Sequence, residues 1–79
     1  MITPAQSKMA RAAIGWGVRD LARQAEVGVS TVTRFESGEH VPTKANLAAI
    51  RRALEEAGVE FIDRGVRLRD DAPASPKAE

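Results

Sequence analysis

The sequence contains no cysteine and only one histidine, His40, among its 79 residues. Without cysteine, disulfide bonds and thiolate metal sites are excluded, and a single histidine cannot build a multi-histidine metal cluster. The chain also lacks an apolar run approaching the roughly 20 residues of a membrane span, and its amino terminus does not resemble a secretory signal. We therefore expect a cytoplasmic protein without a metal or other cofactor.

Aromatic side chains are scarce, because only Trp16, Phe35 and Phe61 occur. The core must be built mainly from alanine, valine, leucine and isoleucine, a composition that suits closely packed helices. With 79 residues, 43% of them hydrophobic, the chain cannot divide its apolar residues between two cores. These features predict a single, mainly α-helical domain.

Neither sign of charge is in large excess, since the formal net charge is +1. The charges are nevertheless distributed unevenly. Residues 1–52 carry eight lysine and arginine residues against four acidic ones, whereas residues 53–79 carry four against seven. We therefore expect the amino-terminal part to be the one that binds a polyanion.

The first helix is predicted from its capping residues. Residues 3–6, Thr-Pro-Ala-Gln, are typical of a capping box with proline at the first helical position, and Gly15 should end the helix. The sequence does not determine which face of this helix is buried, because two stripes of residues are possible and alanine is too small to favour either of them. One stripe contains Ala10 and Ile14, and the other contains Met9, Ala13 and Trp16.

A second and a third short helix are predicted on either side of a turn at residues 26–28. The third helix, residues 29–37, directs Val32 and Phe35 inward and stops at Gly38, which is typical of a C′ glycine. The second helix is indicated by apolar residues at positions i, i+3, i+4 and i+7, namely Val18, Leu21, Ala22 and Ala25.

A fourth helix is predicted between a cap at Thr43 and a stop at Gly58, with an apolar repeat at Leu47, Ile50 and Leu54. Arg51 and Arg52 stand four residues before Glu55 and Glu56, which favours two ion pairs on its exposed side.

Beyond Gly58 the apolar period changes to two, which predicts a β-hairpin over residues 59–69. Pairing Phe61 with Val66 and Val59 with Leu68 places four apolar side chains on one face. The same register sets Glu60 against Arg67 on the other face. A lone hairpin is marginal in water, so it must lie on the helices or pair with a second subunit.

The last ten residues, 70–79, contain two prolines and no large apolar residue. This composition predicts a disordered tail after a domain that spans residues 1–69.

The Leu21-Ala22 pair, Val27, Val32, the run from Arg34 to Gly38 and the following Pro42 resemble the Xre/Cro-type, lambda-repressor-like helix-turn-helix family. The resemblance covers roughly residues 5–57. It implies a lambda-repressor-like bundle of about four helices, here followed by the predicted hairpin. It also implies a transcriptional regulator whose third helix enters the major groove of double-stranded DNA.

By similarity to the family, Val29, Ser30, Thr33 and Arg34 hold base-reading positions, with Thr31 beside them. Arg34 suits a bidentate contact to guanine, Ser30 and Thr33 suit bases or phosphates, and Val29 suits a thymine methyl group. The simpler interpretation is that these are solvated side chains, or, for Val29, that it packs at the start of its helix. Further side chains expected near the duplex are Arg19, Arg23, His40 and Lys44.

The resemblance also implies a structural ion pair between Arg11 on the first helix and Glu36 at the close of the third. If buried, such a pair fixes the angle between the two helices, and breaking it costs about 3–5 kcal/mol. The simpler interpretation is two exposed charges that contribute little.

Several positions depart from the family pattern. Val18 stands where a polar residue commonly opens the second helix and contacts phosphate. Glu26 stands where the turn commonly has glycine, which suggests that the turn glycine has shifted to Gly28. Glu39 occupies a position where a basic residue often meets phosphate, and its charge is expected to repel DNA.

Three functions are compatible with these patterns. The first is a sequence-specific regulator that reads a two-fold symmetric site as a homodimer, with the hairpin 59–69 joining the subunits. The second is a protein-interaction module or antitoxin-like partner protein that kept the helix-turn-helix fold but binds DNA weakly or not at all. The third and weakest is an enzyme, because the sequence has no catalytic constellation, and we expect none.

Overall fold

The computed structural model describes residues 1–70 of the chain. Four helices precede an antiparallel hairpin, which confirms the predicted mainly helical bundle with a carboxyl-terminal hairpin. The elements are α1 (Pro4–Ile14), α2 (Val18–Ala25), α3 (Val29–Glu36), α4 (Lys44–Glu56), β1 (Val59–Ile62) and β2 (Gly65–Leu68). Apart from Asp70, the predicted tail lies outside the described residues, and its separation from a domain of residues 1–69 remains a prediction.

The ends of the helices follow from their capping residues. The Thr3 hydroxyl accepts a hydrogen bond from the Gln6 amide at 3.1 Å, and the Gln6 side chain accepts one from the Thr3 amide at 2.9 Å. This reciprocal capping box opens α1, and Gly15, with a left-handed φ of 74°, ends it. Helix α3 ends one residue earlier than predicted, because Ser37 is its C-cap.

The helical core consists mainly of small and branched aliphatic side chains. On α1 the buried stripe is the one that contains Ala10 and Ile14, whereas Met9 remains partly exposed. A small residue such as Ala10 at the contact lets neighbouring helices approach closely. The buried apolar residues on the other helices are Leu21, Ala22, Ala25, Val32, Phe35, Leu47, Ile50, Ala53 and Leu54.

The turn between α2 and α3 corrects one expectation from the sequence. Glu26 adopts the left-handed conformation, with φ 59° and ψ 42°. Gly28 has φ −69° and ψ 148°, and it is the extended N-cap of α3. The proposed shift of the turn glycine to Gly28 is therefore wrong. The chain must turn directly after α2, so the left-handed residue falls at the C-cap, while the residue before α3 must be extended.

The hairpin has the predicted register, with Val59 opposite Leu68, Glu60 opposite Arg67 and Phe61 opposite Val66. Its apolar face lies against α1 and α4, where Val59 is fully buried. Leu68, at the end of β2, remains 45% exposed.

Surface ion pairs follow the predicted spacings in part. Glu60 and Arg67 pair across the hairpin at 2.8 Å, and Arg51 pairs with Glu55 on α4 at 2.9 Å. The second predicted pair on α4, between Arg52 and Glu56, is not among the ion pairs within residues 1–70. No helix in this described part is long and apolar enough to cross a membrane.

Candidate nucleic-acid interface

Helix α3 has two chemically different faces. Val32, Phe35 and Glu36 point into the protein and are buried. The opposite face consists of the exposed side chains Val29, Ser30, Thr33 and Arg34, with Thr31 half-buried at its edge. The hairpin packs on α1 and α4, so these outward side chains stay accessible to a large partner.

An ion pair between Arg11 and Glu36 attaches the end of α3 to α1. Arg11 Nη2 lies 2.7 Å from Glu36 Oε1, and Arg11 Nε donates to both carboxylate oxygens, at 3.2 and 2.9 Å. The two side chains are only 19% and 6% exposed. Hydrogen bonding to Glu36, together with the attraction of its charge, raises the pKa of Arg11 despite partial burial. The guanidinium therefore stays charged at any physiological pH.

The same two residues have further partners that complete the junction. The Ser7 hydroxyl donates to Glu36 Oε2 at 2.6 Å, and Arg11 Nη1 donates to the carbonyl of Trp16 at 3.2 Å. Trp16 lies between α1 and α2, so one guanidinium connects α1, the segment before α2 and the end of α3. This network holds α3 at a fixed angle to the rest of the bundle.

Four other side chains that were predicted to lie near the duplex are exposed in the structure. Arg19 and Arg23 are exposed on α2, and Arg23 pairs with Asp20 at 2.9 Å. His40 is exposed in the loop after α3, and Lys44 is exposed at the first position of α4. The structure thus places cationic or titratable side chains on α2, on the loop and on α4.

The part of the chain that forms this arrangement of helices matches a known protein family. The family described as "Helix-turn-helix domain" matches residues 8–61, which is more than half of the chain. The chain belongs to this helix-turn-helix family. The match extends from α1 into β1 and includes α2, the turn and α3. No curated protein matches the chain.

Within this helix-turn-helix domain, α2 and α3 are the paired helices and residues 26–28 form the turn. Membership of the family supports a DNA-binding regulator in general terms. Among residues 1–70, no three or more histidine, cysteine or acidic side chains are grouped as metal ligands would be.

The burial of Ser7 and the contact of Gln6 with the hairpin were not predicted from the sequence, although Gln6 was predicted as part of the capping box. Ser7 is fully buried beside Glu36, and Gln6 is buried where its Nε2 donates to the carbonyls of Ile62 and Gly65, at 2.8 and 3.2 Å. Ser7, Ala10 and Ile14 follow the i, i+3, i+7 spacing of one helical face, but the sequence does not show that this face, rather than the one with Met9, is buried.

Proposed function

We propose that the protein is a transcriptional regulator that binds a specific, two-fold symmetric site in double-stranded DNA as a homodimer, with α3 in the major groove. The observation that carries the proposal is the exposed row of Ser30, Thr33 and Arg34 on a helix whose opposite face is buried. The proposed site of action is the cytoplasm.

Helix α3 suits the major groove both in shape and in chemistry. The groove is about 12 Å wide and admits one α-helix, while each base pair presents its own pattern of donors and acceptors there. Arg34 is assigned a bidentate contact to the O6 and N7 atoms of guanine. Ser30 and Thr33 are assigned hydrogen bonds to bases or phosphates, and Val29 a contact to a thymine methyl group.

The exposed cationic side chains on α2 and α4 are proposed to contact the phosphates of the DNA backbone. Arg19 and Arg23 are exposed on α2, which packs against α3, and Lys44 is exposed at the first position of α4. Phosphate contacts of this kind supply affinity and orientation but do not distinguish sequences. His40, in the loop after α3, is assigned the same role.

The hairpin is proposed to join the two subunits. The Arg69 amide donates to the Gly58 carbonyl at 2.9 Å, so by alternation the pairs Val59–Leu68 and Phe61–Val66 direct their backbone groups outward. Within residues 1–70 no further strand covers these edges, and together with the exposed side chain of Leu68 they favour association with a second copy. A two-fold dimer would read half-sites one helical turn apart, about 34 Å.

The proposal is tested by selecting binding sites from random duplexes with the full chain and measuring its mass by light scattering. We expect a palindromic consensus, a dimeric mass and affinity that falls steeply as salt rises. Leu68→Arg should yield a monomer that still binds a half-site but loses tight binding to the full site. If no duplex is retained at low salt, the regulator is ruled out in favour of a protein-interaction or antitoxin-like module.

A further inference from the structure

We propose that Glu39 is a specificity-determining residue, which positions Arg34 for guanine and weakens binding to DNA of random sequence. This inference rests on the proposed function, because it assumes that Arg34 reads a base. Glu39 is an unusual neighbour for such a residue, since an acidic side chain close to DNA lowers affinity. The structure places Glu39 next to Arg34, where a loss of affinity for DNA in general can be accompanied by a stronger preference for one base.

The backbone fixes Glu39 next to Arg34. Gly38 adopts a left-handed φ of 81°, which turns the chain back over the end of α3. The Arg34 carbonyl then accepts three hydrogen bonds: from the Glu39 amide at 3.0 Å, from the His40 amide at 3.2 Å and from the Ser37 hydroxyl at 3.0 Å. The position of Glu39 is therefore set by the helix cap rather than by a free loop.

The side chains meet on one edge of the guanidinium. Glu39 Oε2 lies 3.8 Å from Arg34 Nε, and both side chains are more than half exposed. Because Nε is the arginine nitrogen that lies near the carboxylate, the attraction favours orientations of the guanidinium in which Nη1 and Nη2 face away from Glu39. These two terminal nitrogens can donate in parallel to the O6 and N7 atoms of guanine.

The negative charge acts differently on the two kinds of DNA. An arginine without an acidic neighbour binds any phosphate, which strengthens binding to every sequence. Beside Glu39, Arg34 gains less from phosphate, because the nearby negative charge partly offsets its attraction and repels the DNA backbone. A contact to guanine is weakened less, because the oriented guanidinium can still donate two parallel hydrogen bonds to the base. Glu39 should therefore lower affinity for random duplex more than affinity for the selected site.

The first test compares Glu39→Gln with wild-type protein on the selected duplex and on random duplex. We expect random-duplex affinity to rise about two- to fivefold, the range for an exposed ion pair, with less gain on the selected site. Preference for guanine at the Arg34 position should fall. Glu39→Asp keeps the charge but shortens the reach, so it should lose base preference without gaining random affinity. Glu56→Gln, an equal charge change at the end of α4, should leave the ratio of the two affinities unchanged.

The second test repeats Glu39→Gln in an Arg34→Ala background, where it should no longer alter base preference. Equal gains on both duplexes, an unchanged guanine preference, or the same effect from Glu56→Gln would each overturn the inference while leaving the proposed function intact. Failure of the wild-type chain to enrich any sequence would overturn both.

Discussion

The hydroxyl of Ser7 donates a 2.6 Å hydrogen bond to Oε2 of Glu36, and both side chains are buried. The same carboxylate also forms an ion pair with the guanidinium of Arg11. Glu36 is therefore held by a neutral and a charged donor from a single helix, and the two bonds fix the end of α3 against α1. This junction determines how the outward face of α3 is presented, so its energetics can be tested without DNA.

Replacing Glu36 with glutamine should destabilise the protein strongly, because the largely buried Arg11 loses its counter-ion. We expect a loss of about 3 kcal/mol in the free energy of unfolding, the lower end for buried pairs, since Arg11 keeps some solvent contact. Urea denaturation measures this loss. The matched control is Glu55→Gln, which breaks the exposed pair with Arg51 and should cost less than about 1 kcal/mol. Equal losses would contradict a structural role for Glu36.

Ser7→Ala should also be destabilising, since it removes a buried donor from a charged acceptor. The expected loss is about 1.5–3 kcal/mol. Ser30→Ala provides a comparison on the exposed face of α3, where the change in stability should stay within about 0.5 kcal/mol. Thermal and urea unfolding of both variants would settle the point, and a stable Ser7→Ala protein would show that Arg11 alone satisfies the carboxylate.

Glu26→Gly should stabilise the chain, because a non-glycine residue in the left-handed region is strained by about 1–2 kcal/mol. We expect a gain of about 1 kcal/mol once the greater freedom of glycine in the unfolded chain is counted. Gly38→Ala should have the opposite sign for the same reason, since its φ is 81° although space around it is open. If Gly28→Ser, at an extended N-cap, stabilised the protein as much as Glu26→Gly, the assignment of strain to Glu26 would be wrong.

Gln6→Glu should loosen the hairpin selectively. The new carboxylate can still accept from the Thr3 amide, but it cannot donate to the carbonyls of Ile62 and Gly65. We expect a loss of about 1–3 kcal/mol and faster hydrogen exchange of the hairpin amides. Thr3→Ala removes the other half of the capping box, so its cost of about 1 kcal/mol should appear at the start of α1 rather than in the hairpin.

Arg34→Ala and Arg23→Ala should separate base reading from phosphate binding. The first should weaken binding to the selected duplex by about 1–3 kcal/mol and relax preference at one base pair. The second should weaken binding to all sequences alike and reduce the dependence on salt. Fluorescence anisotropy on selected and random duplexes measures both effects. An equal loss on the two duplexes for Arg34→Ala would remove its assigned role.

The hairpin register could be predicted because slipping β1 by one residue would place Val59 and Phe61 on the opposite face of the hairpin from Val66 and Leu68. The start of α1 could be predicted because the capping box joins residue types to backbone positions. The inner face of α1 could not, since alanine can lie on either side of a helix and only the surrounding helices decide.

The polar part of the junction was harder to foresee. Arg11 and Glu36 came from resemblance to a family, whereas Ser7 carries no apolar signal although it lies deep in the core. The left-handed conformation in the turn was also expected at the wrong residue, because glycine usually adopts it and Gly28 lies two residues after Glu26. Which residue takes a positive φ depends on where α2 must stop, and that is fixed by packing rather than by local preference.

Helix α3 assigns anchoring and surface chemistry to different side chains. Val32, Phe35 and Glu36 are buried and hold it in place, while Ser30, Thr33 and Arg34 are exposed on its outer face. Substitutions can therefore change the outward surface without unfolding the bundle. A duplicated gene could acquire a new target through few such substitutions. For the same reason, libraries randomised at these three positions should yield folded proteins in high proportion.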